Sequence, residues 1–331
     1  MDVKDKRSGS VDVGCIRRVP SDILVEEATS ELEVLVSENC NLDSSDEYDT
    51  DIEEDFPNSE NSSTPAEDMQ GKIVYLSACK SLGITPCSKF LQSLLKSEVS
   101  LKFYSLGPRG AEAISVAMIR NSSILSLNLS SNGIREDGAI CVSKMMTDNC
   151  FITELDLSEN DLRTQGAYAV SDMLRKNSEL LELNVAGNKF HDKDAEPIVE
   201  AMKENYTLKA LNLGNNDFGE IGGQLLGPAI DGNVGLEYLN LGSNHLRRKG
   251  AVAIGHGLKN NCSLRCIDLS YNGIADDGST AIGSALVINN TLVEIDLTSN
   301  RISFSGVAGL VNGITVNKTL QVCLDIMVHH G

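Results

Sequence analysis

The sequence reads as an α/β protein: a right-handed, curved solenoid of strand–turn–helix repeats, with a parallel sheet along its concave side and a disordered acidic arm in front. Three observations lead to this class. Asn132, Asn160, Asn188, Asn216, Asn244, Asn272 and Asn300 stand 28 residues apart without an insertion, each closing an L-x-x-L-x-L-x-x frame. A second series with the same spacing runs through Asn121, Asn149, Asn177, Asn205, Asn233, Asn261, Asn289 and Asn317. The apolar period also changes halfway through each repeat. Leu155 and Leu157 alternate with Asp156 and Ser158, the period of a strand. Ala167, Val170, Met173 and Leu174 then follow the spacing of one helix face.

One strand, one turn and one helix per repeat make successive strands parallel, because the helix carries the chain back across the sheet. A single unit cannot bury both of its apolar sides, so the copies must stack. Helices are wider than strands, and the stack therefore curves with the strands inside.

The elements follow in order. Residues 1–70 hold 20 Asp/Glu against 5 Lys/Arg, so most of the net charge of -19 sits in the first fifth of the chain. Few aromatics and many acids predict a disordered arm. Its one apolar cluster, Ile23, Leu24, Val25, Leu32, Val34, Leu35 and Val36, has the character of a motif that folds on a partner. Ser44 and Thr50 each have an acid three residues on, Glu47 and Glu53, and are candidate phosphorylation sites for an acidophilic kinase. Phosphate would add roughly 1.5–2 negative charges at each.

Residues 71–100 read as a helical cap. Tyr75, Ala78, Cys79 and Leu82 share a face that stops at Gly83, and Phe90, Leu91, Leu94 and Leu95 follow Ser88. Residues 101–319 carry the solenoid. Its first repeat is abbreviated: Leu101, Tyr104 and Leu106 fit the strand, and Arg109-Gly110 replaces the longer turn. The helix of the fourth repeat contains Gly222, Gly223, Gly227, Pro228 and Gly232. Glycine costs ~1 kcal/mol and interior proline ~3 kcal/mol in a helix, which predicts a short or kinked helix and the softest point of the array. Residues 320–331 form a truncated last repeat. Leu320 and Cys323 begin a strand, no Asn or helix follows, and the last core edge is expected to be exposed or covered by a partner.

The 28-residue L-x-x-L-x-L-x-x-N-x-[ILF] frame with its following helix resembles the ribonuclease-inhibitor type of leucine-rich repeat, over roughly residues 101–319. Within that class, the acidic arm, a leader with Tyr75, Cys79, Gly83 and Pro86, and the run LGPRGAEAI are similar to the leucine-rich repeat-containing protein 74 group. The resemblance implies an architecture more than a mechanism. It also raises two readings besides a scaffold. One is a GTPase-activating protein, since Ran's activator resembles this repeat type, although none of that family's functional residues maps onto a matching position here. The other is a sensor fragment of a nucleotide-binding immune receptor, although Gly71-Lys72 lacks both the leading glycine and the Ser/Thr of a phosphate-binding loop.

Two ladders are candidates for a role. Asn132, Asn160, Asn188, Asn216, Asn244, Asn272 and Asn300 are read as structural, because a buried side-chain amide can satisfy backbone groups left unpaired at a strand-to-turn corner. The outward strand position, Asn128, Asp156, Asn184, Asn212, Asn240, Asp268 and Asp296, is read as a mildly acidic groove for a protein partner, with side chains ~4.8 Å apart. Glu154, Glu159, Glu237, Arg265 and Glu294 flank it, and Tyr238 and Tyr271 are the anchor candidates, because tyrosine is enriched at binding hot spots.

Other functions are disfavoured. The groove offers only Lys209 and Arg265 to a phosphate backbone, so no nucleic acid is expected. Arg247-Arg248-Lys249 lies at a turn into a helix, away from the groove. Cys262 and Cys266 lack two further ligands for a tetrahedral zinc site, and Cys262 is expected to be buried beside Asn261; no metal and no cofactor are expected. No apolar run reaches ~18 residues and no apolar leader follows MDVKDKRSGS, so neither a membrane partner nor secretion is expected. Nine scattered cysteines then read as reduced thiols of a cytoplasmic protein. No catalytic constellation and no small-molecule substrate are suggested, and the expected function is non-enzymatic protein binding.

Overall fold

A computed structural model describes residues 65–324. The apolar cluster at 23–36, Ser44 and Thr50 lie outside the described residues. The chain runs α1 (Pro65–Leu82), α2 (Ser88–Leu91), β1 (Glu98–Ser100), α3 (Gly107–Met118), β2 (Ser126–Asn128), α4 (Arg135–Asp148), β3 (Glu154–Asp156), α5 (Arg163–Lys176) and β4 (Glu182–Asn184). It continues with α6 (Ala195–Glu204), β5 (Ala210–Asn212), α7 (Glu220–Gly232), β6 (Tyr238–Asn240), α8 (Arg248–Asn260) and β7 (Cys266–Asp268). The final elements are α9 (Ala275–Leu286), β8 (Glu294–Asp296), α10 (Phe304–Val316) and β9 (Val322–Leu324).

All nine strands of the described residues form one parallel sheet in sequence order, an α/β solenoid of strand–turn–helix repeats. The register steps by one repeat at each pairing: Leu127 lies opposite Leu155, and Leu155 opposite Leu183. The middle residue of each strand points into the core, and Leu127, Leu155, Leu183, Leu211, Leu239 and Ile267 are all buried. Helix faces such as Ala167, Val170, Met173 and Leu174 close the core from the other side.

Strands of three residues leave most of each turn's backbone groups outside any ladder, and asparagines complete them. Asn160 is fully buried. Its Nδ2 donates to the carbonyls of Leu129 (2.9 Å), Leu157 (3.0 Å) and Ser158 (3.1 Å). Its Oδ1 accepts from the N–H groups of Asn132 (2.8 Å) and Ile134 (3.4 Å) in the repeat before. Asn132, Asn188, Asn216, Asn244, Asn272 and Asn300 are also buried, and each donates to the carbonyls two and three residues back and to one in the preceding coil.

The second asparagine series does the same at the helix C-termini. Asn177 donates to the Met146 carbonyl (2.6 Å) and accepts from the Leu180 N–H (2.7 Å).

Acids also cap helices across a repeat boundary. Asp192 Oδ1 accepts from the Gly219 (2.5 Å) and Gly222 (2.8 Å) N–H groups at the start of α7. Asp276 accepts from the Ser303 N–H (2.8 Å) and hydroxyl (2.6 Å) at the start of α10. Those bonds hold the Asp276 carboxyl below its ordinary value.

Four sequence-based expectations are corrected. In the first repeat the strand is Glu98–Ser100, not the stretch from Leu101 to Leu106: Val99 pairs with Leu127, so Leu101 takes the place of Leu129. Tyr104 then stands at the corner where other repeats have Asn; it is 46% exposed, and its N–H bonds Asn132 Oδ1. In the cap, Tyr75 and Phe90 meet edge to face at 4.7 Å, but α2 is a single turn and Leu95 is exposed. Helix α1 begins at Pro65, inside the stretch assigned to the arm.

The glycine-rich helix α7 is not short either. It runs for 13 residues, as does α8. Its glycines sit where helices touch: a Cβ on Gly223 would lie 2.7 Å from the Gly250 Cα, and one on Gly227 would meet the Ala253 carbonyl. Pro228 and Gln224, four residues before it, both lie on the exposed side of the helix. Close packing here offsets low helix propensity.

Two outcomes follow. Gly223→Ala, which propensity alone would score as a gain of ~1 kcal/mol, should instead lower stability by about 1–3 kcal/mol through overpacking, read as a lower urea midpoint. For Asp276, a carboxyl lowered in the folded state stabilises above its unfolded value of about 3.9 and stops doing so as pH falls through the lower folded value. Amide exchange in α10 should therefore accelerate below about pH 4, and Asp276→Asn should remove that dependence.

Candidate functional site on the open face of the sheet

The parallel register sorts the outward side chains into two rows. The first holds Glu98, Ser126, Glu154, Glu182, Ala210, Tyr238, Cys266 and Glu294. The second holds Ser100, Asn128, Asp156, Asn184, Asn212, Asn240, Asp268 and Asp296. Every one of them is exposed or half-buried, and neither row contains a lysine or arginine.

The second row has a structural duty as well. One side-chain oxygen of each Asn or Asp accepts the N–H two residues on, which fixes the turn after the strand: Ser158 donates to Asp156 (2.9 Å), Ala186 to Asn184 (3.1 Å), Gly214 to Asn212 (2.9 Å), Gly242 to Asn240 (2.8 Å), Ser270 to Asp268 (2.8 Å) and Thr298 to Asp296 (2.8 Å). That is why only Asn and Asp recur there. Asn128 Nδ2 also donates to Asp156 Oδ2 (3.0 Å). Among the described residues, the Nδ2 groups of Asn184 and Asn212 and the second oxygens of Asp268 and Asp296 have no protein partner. Each thus keeps one polar atom that the described fold does not use.

The two tyrosines stand at opposite ends of neighbouring strands. Tyr238 opens β6, 39% exposed; its hydroxyl accepts from Asn240 Nδ2 at 3.5 Å, and burial raises its pKa. Tyr271 follows β7 and is 62% exposed. Its backbone is left-handed, at φ 51°, in a turn position that is Phe103, Ser131, Glu159, Gly187, Asn215, Ser243 and Ser299 in other repeats. Small or polar residues suit that conformation and a bulky ring does not. Sequence reasoning found the tyrosine but not its backbone.

Glu159 was expected only to flank the groove. Its carboxylate lies over Gly187, where a side chain would collide with it, and accepts from Asn215 Nδ2 at 2.9 Å, two repeats away. At the rim where the strands begin, Lys209 contacts Glu237 (3.4 Å) and, with Arg265 and Cys262, lines a cleft of about 310 Å³. Cys262 is exposed rather than buried, because Asn261 takes the inward position beside it; Cys266 is half-buried. Among the described residues, no group of three or more His, Cys, Asp or Glu could hold a metal ion, and no helix is long and apolar enough to cross a membrane.

Seven segments, 120–143, 148–171, 176–199, 204–227, 233–255, 260–283 and 289–311, match the family described as Leucine Rich repeat, and together they make up half of the chain. The chain belongs to the leucine-rich repeat family. Among solved structures it is similar to actin-binding site 2 of leiomodin-1, at 16% identity over 54% of this chain and 91% of that chain, TM-score 0.37. It is similar to an internalin from Listeria monocytogenes, at 13% identity over 73% and 77%, TM-score 0.38. A third similarity is to the tropomodulin C-terminal domain of Caenorhabditis elegans, at 13% identity over 56% and 92%, TM-score 0.35. Likenesses at that level assign this chain no partner.

The left-handed turn separates stability from recognition at one residue. Tyr271→Asn should hold or raise stability, by up to about 1 kcal/mol, while removing the ring; a thermal melt that falls instead would show that the ring packs for the fold.

Proposed function

We propose that the chain is a non-enzymatic, cytoplasmic scaffold of the ribonuclease-inhibitor repeat type, within the leucine-rich repeat-containing protein 74 group, and that it grips a protein partner on the concave, strand-lined side. One feature carries this reading: a nine-stranded face, uncovered among the described residues, on which Asp156, Asn184, Asn212, Asn240, Asp268 and Asp296 repeat at strand spacing, with the second polar atom of Asn184, Asn212, Asp268 and Asp296 left unused by the turns. A row of polar atoms at a fixed step suits the backbone or side chains of an extended protein segment. Tyr238 and Tyr271 supply the apolar area that such a contact needs. The acid-rich stretch 1–70 tunes the encounter through its long-range field.

The test compares proximity-labelled partners of the full chain with those of Tyr238→Ala, Tyr271→Ala and Asp268→Lys. Truncating a hot-spot tyrosine costs ~2 kcal/mol or more, so at least one prominent partner should drop by roughly tenfold or more. A partner list identical across all three variants would reject the sheet face as the binding surface.

A further inference from the structure

The run Arg247-Arg248-Lys249 finds no use on the sheet face, and the structure gives it a setting of its own. On the helical side, Gln224 of α7, Arg248, Lys249, Val252, Ala253 and His256 of α8, and Asp277 and Thr280 of α9 line a shallow, open cleft of about 640 Å³. Glycines shape it: Gly223 and Gly250 bring α7 onto α8, and Gly255 lies against Ala281 of α9. The three helices therefore lie close, the short side chains of Val252 and Ala253 make the floor, and the longer polar ones stand as walls.

The two cations that line the cleft are only loosely held. Elsewhere Arg163 and Lys189 share Asp161 (2.9 and 2.8 Å), Arg175 pairs with Glu204 (2.8 Å) and Lys203 with Glu200 (2.8 Å). Arg248 only reaches Glu220 at 3.8 Å, with its side chain 78% exposed, and among the described residues Arg247 and Lys249 have no ion-pair partner. Asp277 is the single carboxylate of the lining, against Arg248, Lys249 and His256. In a chain with 47 acids to 28 bases, a cleft that sets Arg248 and Lys249 against one lining carboxylate is locally basic.

We infer that this cleft is a second binding site, which takes an acidic peptide segment of a partner protein. Its anionic side chains, carboxylate or phosphoester, meet Arg248 and Lys249, and an apolar side chain between them rests on Val252 and Ala253. The volume fits several side chains rather than a lone inorganic anion, within the roughly 300–1,000 Å³ usual for ligand clefts. A nucleic acid needs a longer track of cations, and here Glu220 and Asp277 interrupt it. The site lies on the helices, away from the strand rows, and stands independently of the sheet-face reading.

The experiment is fluorescence anisotropy with the full chain at physiological ionic strength. The probes are three labelled peptides of one length: glutamates around a leucine, phosphoserines around a leucine, and glutamines around a leucine. Wild type should bind one or both acidic peptides and not the glutamine peptide; which one binds tells carboxylate from phosphoester. The double variant Arg248→Gln with Lys249→Gln should weaken that binding at least ~tenfold, the worth of a charge-assisted contact. Gln224→Glu, a near-isosteric change that adds a carboxylate to the wall, should weaken it as well, and Tyr271→Ala should leave it unchanged. All are exposed positions, and a thermal melt checks each fold. Three results would overturn the inference: acidic peptides bound no better than the glutamine one at millimolar concentration, a double variant that binds like wild type, or a single-stranded oligonucleotide that binds these residues more tightly than either peptide.

Discussion

Everything in this molecule depends on a hydrogen-bond deficit at the corners of the coil. A strand of three residues and a helix of about three turns leave the connecting backbone with donors and carbonyls that neither element can pair. Asparagine answers because a neutral amide offers two donors and an acceptor at one end of a short side chain. Two series of them, one at each end of the coil, join each repeat to its neighbour, and the leucine core forms between those two seams. The third set, Asn128 to Asp296, tightens the turn that follows each strand.

Much of this was legible in the sequence because repetition averages out local noise. Leu155 and Leu157 alone would not establish a strand, but the same pair at seven successive steps does. Legibility fails where a residue's role is set by a neighbour that is distant in the chain. Gly223 looks like a helix breaker until Gly250 is seen against it. Asp192 and Asp276 look like ordinary surface acids until the starts of α7 and α10 are found on them. In the first repeat, an L-x-x-L-x-L spacing that included Tyr104 misplaced the strand, because Val99 fills the place of a leucine.

The candidate site was legible only in outline. Side-chain alternation placed Asp156, Asn184 and Asn212 on the outer face, but alternation cannot say that each one already gives an oxygen to its own turn. Under the proposed function, the face is a compromise between holding the coil and meeting a partner. Substitutions in that row disturb both at once, whereas Tyr238 and Tyr271 carry exposed rings that the turns do not use.

The inter-repeat bonds of the asparagines point one way. Asn160 bonds Leu129, Asn132 and Ile134, and Asn177 bonds Met146 and Asn149; each reaches back to the coil before its own. The corner backbone of a coil is therefore completed by the asparagines of its successor. During synthesis, which delivers the N-terminal end first, the most recently emerged coil always waits for the next 28 residues to leave the ribosome before its backbone is finished. The asparagine bonds at the corners of the nascent chain therefore form at least one repeat behind its elongation.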